Sequence, residues 1–213
     1  ILHSLYVTLL VAVAAAAIAT VLGTIAAIGI HNMGRRAKAA YLTVNNIPMS
    51  SSDTIMGVTF MLLFAAIGLD KGYLTLILAH VTFCTPYVVL NVMPKLTQMD
   101  PALQEAALDL GCTPFQAFRK VTIHEIMPGI VSGAIMAFTM SLDDFVISYF
   151  VYGPSYVTLP VEIYNYTKKP LQPKIYALFT LLFAMILLLM ILMNVLQARA
   201  ERRKTLQHAG RAA

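Results

Sequence analysis

Two carboxylates stand side by side in an otherwise apolar stretch, Ser141-Leu142-Asp143-Asp144-Phe145-Val146. A third, Asp53, closes the polar run Asn45-Asn46-Ile47-Pro48-Met49-Ser50-Ser51-Ser52-Asp53, which interrupts another apolar stretch. Acids in such surroundings are costly unless they are hydrogen-bonded or face a polar path. Neighbours on a helix point about 100° apart, so Asp143 and Asp144 are not expected to face one spot. Either one lines a path while the other bonds a neighbouring helix, or both are held structurally by Ser, Thr or backbone groups. The chemistry on offer is attraction of cations. Tyr87, Tyr149 and Tyr152 add ring faces on which organic cations stack, with ordinary packing as the alternative. His80 reads as a hydrogen-bonded side chain. No second ligand follows it at i+3 or i+4, so no metal is expected there.

The elements that must hold these residues are apolar. Of 213 residues, 59% are hydrophobic and only 12% charged, against about half and a quarter in ordinary soluble domains. That balance excludes a disordered chain and suits one whose outer surface meets lipid. Five blocks reach the roughly 20 residues needed to cross a hydrocarbon core: 5–30, 40–69, 73–94, 127–152 and 175–196. The first is rich in Ala, with Gly23 and Gly29, which favours close helix packing. Pro48 is expected to break the second, and interrupted helices often mark transport sites.

Basic residues set the orientation. Arg35, Arg36 and Lys38 follow the first block. Lys95, Arg119 and Lys120 lie between the third and fourth. Arg199, Arg202, Arg203, Lys204 and Arg211 follow the fifth. The other connections hold Lys71, Lys168, Lys169 and Lys174. The richer side is expected to be cytoplasmic, with the C-terminus on it. The first block then starts outside, and the chain begins at Ile1 rather than Met, so an earlier helix is expected to be missing. Cys84 and Cys112 fall at different depths and are not expected to pair. The segment 155–169 reads as a short outside helix with Tyr156, Val157, Ile163 and Tyr164 on its apolar side.

The connection 100–128 has helix signals of its own. Asp100 caps a helix opened by Pro101. Leu103, Ala106, Ala107 and Leu110 follow at i, i+3, i+4 and i+7, and Gly111 stops it in the left-handed conformation. Thr113, Pro114 and Gln116 then start a second helix with a capping box, and Arg119 and Lys120 sit in its last turn. By pattern alone this is either a plain surface hairpin or a rigid contact element.

Glu105-Ala106-Ala107, then Gly111, Val121 and Ile123, resemble the EAA loop of ABC-importer permeases. The match departs at Ile123-His124, where that family usually has Leu-Pro; Pro128-Gly129 is expected to supply the break instead. Further stretches resemble the permease subunits of spermidine/putrescine importers, the second of the two permeases in particular: Leu142-Asp143-Asp144-Phe145-Val146, Tyr152-Gly153-Pro154-Ser155, Leu159-Pro160, Ile163-Tyr164, and His80 through Val89. The likeness runs from about residue 4 to residue 196.

The resemblance implies an all-α membrane protein, the transmembrane domain of a type I ABC importer. Five transmembrane helices and short cytoplasmic coupling helices would lie in 1–198, with a basic cytoplasmic tail in 199–213. It implies that Glu105, Ala106, Ala107, Asp109 and Gly111 couple the chain to an ATP-binding subunit, and that Asp53, Asp143, Asp144, Tyr87, Tyr149 and Tyr152 line the substrate path. The expected partners are a second, similar permease, two ATP-binding subunits carrying ATP and Mg, an external substrate-binding protein and the bilayer, with no nucleic acid. The expected location is the bacterial cytoplasmic membrane. No G-x-x-x-x-G-K-[ST] run is present, so the chain itself is expected to bind no cofactor and catalyse no reaction. The rival readings are an importer of another small solute, a secondary cation transporter and a membrane-anchored scaffold.

Overall fold

The computed structural model describes residues 1–168 and scattered helical positions between 177 and 191. Residues Ile1–Asn165 form one compact unit, and Tyr166–Ala213 form another. The fifth apolar block, 175–196, and the basic tail, 199–213, lie largely or wholly outside the described residues.

Among the described residues the chain is helical throughout. The order is α1 (Leu2–His31), α2 (Arg35–Ser50), α3 (Asp53–Ala66), α4 (Tyr73–Gln98), α5 (Pro101–Asp109) and α6 (Pro114–Ala117). A π-helical segment (Phe118–Thr122) follows, then α7 (Ile123–Asp143), α8 (Val146–Val151) and α9 (Leu159–Thr167). Among the described residues, three helices are long and apolar enough to cross a membrane: Leu2–His31, Tyr73–Gln98 and Pro114–Asp143. The pair α2 and α3 qualifies as one broken span, bent by 100°. The expected count of five is therefore not reproduced among the described residues.

The core is the three-way packing of α1, α4 and α7. Helix α1 is apolar all round, so what marks its buried face is size. Val7, Val11, Ala12, Ala15, Ala16, Ala19, Gly23 and Ala27 are buried, whereas Tyr6, Val13, Ile18, Val21, Leu22 and Ile25 are exposed. Apolar attraction between helices is weak in lipid, and small residues win contact by letting backbones approach. Gly23 shows this: a Cβ there would lie 2.7 Å from the Cβ of Val88 on α4. Gly133 on α7 meets the same residue from the other side, where a Cβ would sit 3.2 Å from the Val88 Cα.

Two of the expected spans are built differently from their sequence reading. The second is not one helix from 40 to 69. Helix α2 runs through Pro48 and stops at Ser50, and Ser51 and Ser52 turn extended. Pro48 has no N–H to donate to the preceding turn. The hydroxyls of Ser50 and Ser51 then bond back to the carbonyls of Asn46 (3.1 Å) and Ile47 (2.9 Å), which lets the ladder end there.

The fourth span does not start near 127 and run to 152. Helix begins at Pro114 and continues as one rod to Asp143, and α8 resumes only at Val146. Pro128 and Gly129 do not break it. Both lie within α7, where Gly129 is buried against Asn91 and Val92 of α4. The adjustment is made upstream by the π turn Phe118–Thr122, whose wider winding shifts the faces before and after it. The short helix expected at 155–169 is α9, which starts later. Tyr156 lies before it, its ring tilted against Tyr73 with centroids 4.2 Å apart.

Candidate functional site: two broken helices and a coupling loop

The loop between α4 and α7 follows its sequence signals closely. The Asp100 carboxylate accepts from the Ala102 N–H at 3.0 Å. The Thr113 Oγ1 accepts from the Gln116 N–H at 3.3 Å, and the Gln116 side chain accepts from the Thr113 N–H at 3.0 Å. Gly111 has φ +84°, the left-handed conformation that ends α5. The second helix does not stop after Arg119 and Lys120, however; those residues lie in the π turn that leads into α7.

Glu105, Ala106, Asp109 and Gly111 are exposed on this loop, and Ala107 is half-buried. Two further side chains belong to the same surface: Leu110 is 87% exposed and Phe115 is 71% exposed. Sequence reasoning treated Leu110 as part of an apolar face and did not single out Phe115. The available signal was an aromatic residue in a polar turn, directly after the capping proline.

At the far end of the rod, a recess of about 300 Å³ is lined by Asp53, Asp143, Asp144, Phe83, Met140 and Phe145, among others. All three acids singled out in the sequence therefore meet at one place, where the α2–α3 break faces the α7–α8 break. Helices α3 and α8 hold the breaks together, and Gly57 leaves room for the Phe150 ring.

The acids are not equivalent. Asp144 is not a helix residue set 100° from Asp143. The helix has ended, and Asp144 is extended, with φ −62° and ψ 121°. Its side chain is only 8% exposed and accepts from the N–H groups of Ile147 (3.2 Å) and Ser148 (2.7 Å) at the start of α8. Asp53 occupies the first turn of α3, where a negative charge is favoured by the helix dipole. Asp143 is the last residue of α7, the end where the dipole favours cations instead, and it is exposed. Two acids thus sit at helix starts that compensate them. The third adds its charge to a helix end that is already negative.

The tyrosines divide. Tyr149 and Tyr152 line a second recess of about 620 Å³ with Met61, Lys71, Phe150 and Pro154. Tyr149 is packed in an aromatic cluster, 5.6 Å from Phe145 and 5.6 Å from Tyr164 between centroids. Tyr87 lines neither recess; it is half-buried on α4 against the core. His80 is hydrogen-bonded, as expected, to Ser141 and Ser148. Those two serines were missed as site residues because a single Ser in an apolar run gives no signal without its partner. Cys84 and Cys112 are both free thiols.

Broken helices facing each other with acids at the gap, on a bundle of apolar helices, define a membrane transport component. Residues 19–206 match the family of binding-protein-dependent transport system inner membrane components, and the chain belongs to that family. It is a multi-pass membrane permease subunit, and such a component works with a binding protein, a second permease and ATPases.

The chain is 40% identical over 204 residues to the putrescine transport system permease protein PotI of Escherichia coli (strain K12), covering 92% of this chain and 73% of that protein. It is 38% identical over 182 residues to the spermidine/putrescine transport system permease protein PotC of Haemophilus influenzae, covering 85% and 71%. To the PotC protein of Escherichia coli (strain K12) it is 36% identical over 184 residues, covering 86% and 70%.

Proposed function

We propose that this chain is the permease subunit of an ATP-driven importer of polyamines, putrescine or spermidine, into the bacterial cell. The observation that carries the reading is the convergence of Asp53, Asp143 and Asp144 on one recess between two broken helices. A polyamine is a flexible polycation, and a site with three acids and no basic residue among its lining suits it electrostatically. The neighbouring recess with Tyr149 and Tyr152 supplies ring faces for the alkylammonium chain. An anion importer would place basic groups in the acid recess, whereas Lys71 lines only the neighbouring one.

The proposed partners are a second, similar permease that completes the path, two ATP-binding subunits carrying ATP and Mg, and an external binding protein that delivers the cargo. The loop with Glu105, Ala106, Ala107, Asp109 and Gly111 faces the cytoplasm and seats on an ATP-binding subunit. The C-terminus lies on the same side. Closure of the ATPase pair moves α5, and the continuous helix from Pro114 carries that motion to Asp143. This chain binds no nucleotide and performs no covalent step.

The test is uptake of labelled putrescine and spermidine by the full complex in proteoliposomes. Accumulation that requires internal or external ATP on the motor side, with no ion gradient imposed, is the expected result. Uptake driven by an ion gradient without ATP would replace this reading with a secondary cation transporter.

A further inference from the structure

His80 is 1% exposed on α4 and reaches both sides of the break between α7 and α8. Its Nδ1 lies 2.6 Å from the Oγ of Ser141, in the last turn of α7. Its Nε2 lies 3.0 Å from the Oγ of Ser148 on α8 and 3.5 Å from an Asp144 carboxylate oxygen. The Ser148 backbone N–H donates to the same carboxylate. The backbone ladder of α7 stops at Asp143, and that of α8 begins with the Tyr149 N–H bonding the Phe145 carbonyl.

The Asp144 carboxylate beside Nε2 favours one direction for these bonds. A carboxylate accepts and cannot donate, while a neutral imidazole has one donor and one acceptor nitrogen. With the carboxylate 3.5 Å from Nε2, the proton belongs on Nε2, and the Ser148 Oγ accepts from it. Nδ1 is left as the acceptor and takes the Ser141 hydroxyl proton. The buried acid thereby selects the tautomer of the histidine.

We infer that His80 is a positioning residue for the substrate path. In its Nε2–H form it clamps the end of α7 to the start of α8 and so fixes the direction of the Asp143 carboxylate. This inference rests on the proposed reading of the acid recess, Asp143 included, as part of the substrate path. Asp144 is committed to capping α8 and orienting His80, which leaves the exposed Asp143 and Asp53 as the acids that meet a cation. The clamp keeps Asp143 aimed across the two-residue gap between the helices, Asp144 and Phe145.

Two readouts test it in the full complex in lipid. The first is the ¹⁵N spectrum of labelled histidine, with the His80 signals among the five histidines assigned by their loss in His80→Gln. An Nε2–H tautomer is expected in the native protein. A shift towards a mixed population is expected in Asp144→Asn, because an amide donates as well as accepts. An Nδ1–H tautomer in the native protein would overturn the inference. This readout involves no substrate, so its failure is distinct from failure of the polyamine reading.

The second readout is putrescine uptake against concentration. His80→Phe should raise the half-saturating concentration about tenfold, the size expected from losing hydrogen bonds linked to a charge. His80→Gln, which keeps a donor and an acceptor, should return within about threefold. The double variant Ser141→Ala, Ser148→Ala removes little bulk and should show the same rise even if His80→Phe fails to assemble. An unchanged half-saturating concentration in the double variant, with only the amount of assembled complex reduced, would reduce His80 to a structural role and overturn the inference.

Discussion

Asp143 and Asp144 are chemically identical neighbours with different work, and the difference comes from where the helix ends. Asp144 is buried and takes two backbone N–H groups, so its loss orphans donors that water cannot reach easily. Asp144→Ala is expected to destabilise the bundle by about 1–3 kcal/mol, read as a lower unfolding midpoint of the purified permease. Asp143→Ala removes an exposed side chain and should stay within about 0.5 kcal/mol of the native protein in the same assay. Equal losses for the two would contradict the division of labour. The sequence made all three acids visible, because charge in an apolar run is conspicuous. It did not reveal the break between two of them. No Gly or Pro lies between Leu142 and Val151, so the run looks continuous. The overlooked sign was Asp144 itself, a capping residue directly ahead of an apolar helix start.

At the scale of elements, small residues decide which helices touch. Gly133 faces the Val88 backbone, where a Cβ would be 3.2 Å from Cα. Gly133→Leu should force α7 off α4, at a cost of about 1–3 kcal/mol or more, measured as loss of folded permease after detergent extraction. The same substitution at Gly29, around which nothing lies within 4 Å, should be tolerated in the isolated subunit. Gly111, at φ +84°, is a different case. Gly111→Ala strains the turn by about 1–2 kcal/mol and should loosen the α5 angle, read as reduced ATPase stimulation by the permease.

The helical blocks and both caps of the 100–116 loop were legible, since each rests on local residues: Asp100, Thr113, Gln116 and Gly111. The joins were not. The π turn at Phe118–Thr122 leads into the stretch of α7 that buries Ile126 and Gly129, and its residues carry no local signature. The 100° bend after Ser50 comes two residues later than Pro48 suggests, because the serine hydroxyls finish what the missing N–H begins.

For the whole molecule, the most consequential feature is the uninterrupted helix from Pro114 to Asp143, about 45 Å long. One end joins the loop that carries Glu105, Leu110 and Phe115; the other ends in the acid recess. On the proposed function, a push on the loop would reach the recess along this helix, π turn included, rather than through a chain of side chains. Glu105→Lys and Phe115→Asp should both weaken binding of the ATPase and reduce transport, while leaving cargo half-saturation unchanged, because both lie at the far end of the rod. A change in half-saturation with normal ATPase binding would contradict that separation.

The most direct measurement pairs ATP hydrolysis with labelled putrescine uptake in proteoliposomes holding the full complex with Asp143→Asn. The account predicts a complex that assembles and hydrolyses ATP as the native one does, but needs about tenfold more putrescine for half-maximal uptake, as the loss of one charge-assisted contact implies. Native half-saturation in that variant, with hydrolysis and uptake still linked, would show that the cation passes elsewhere.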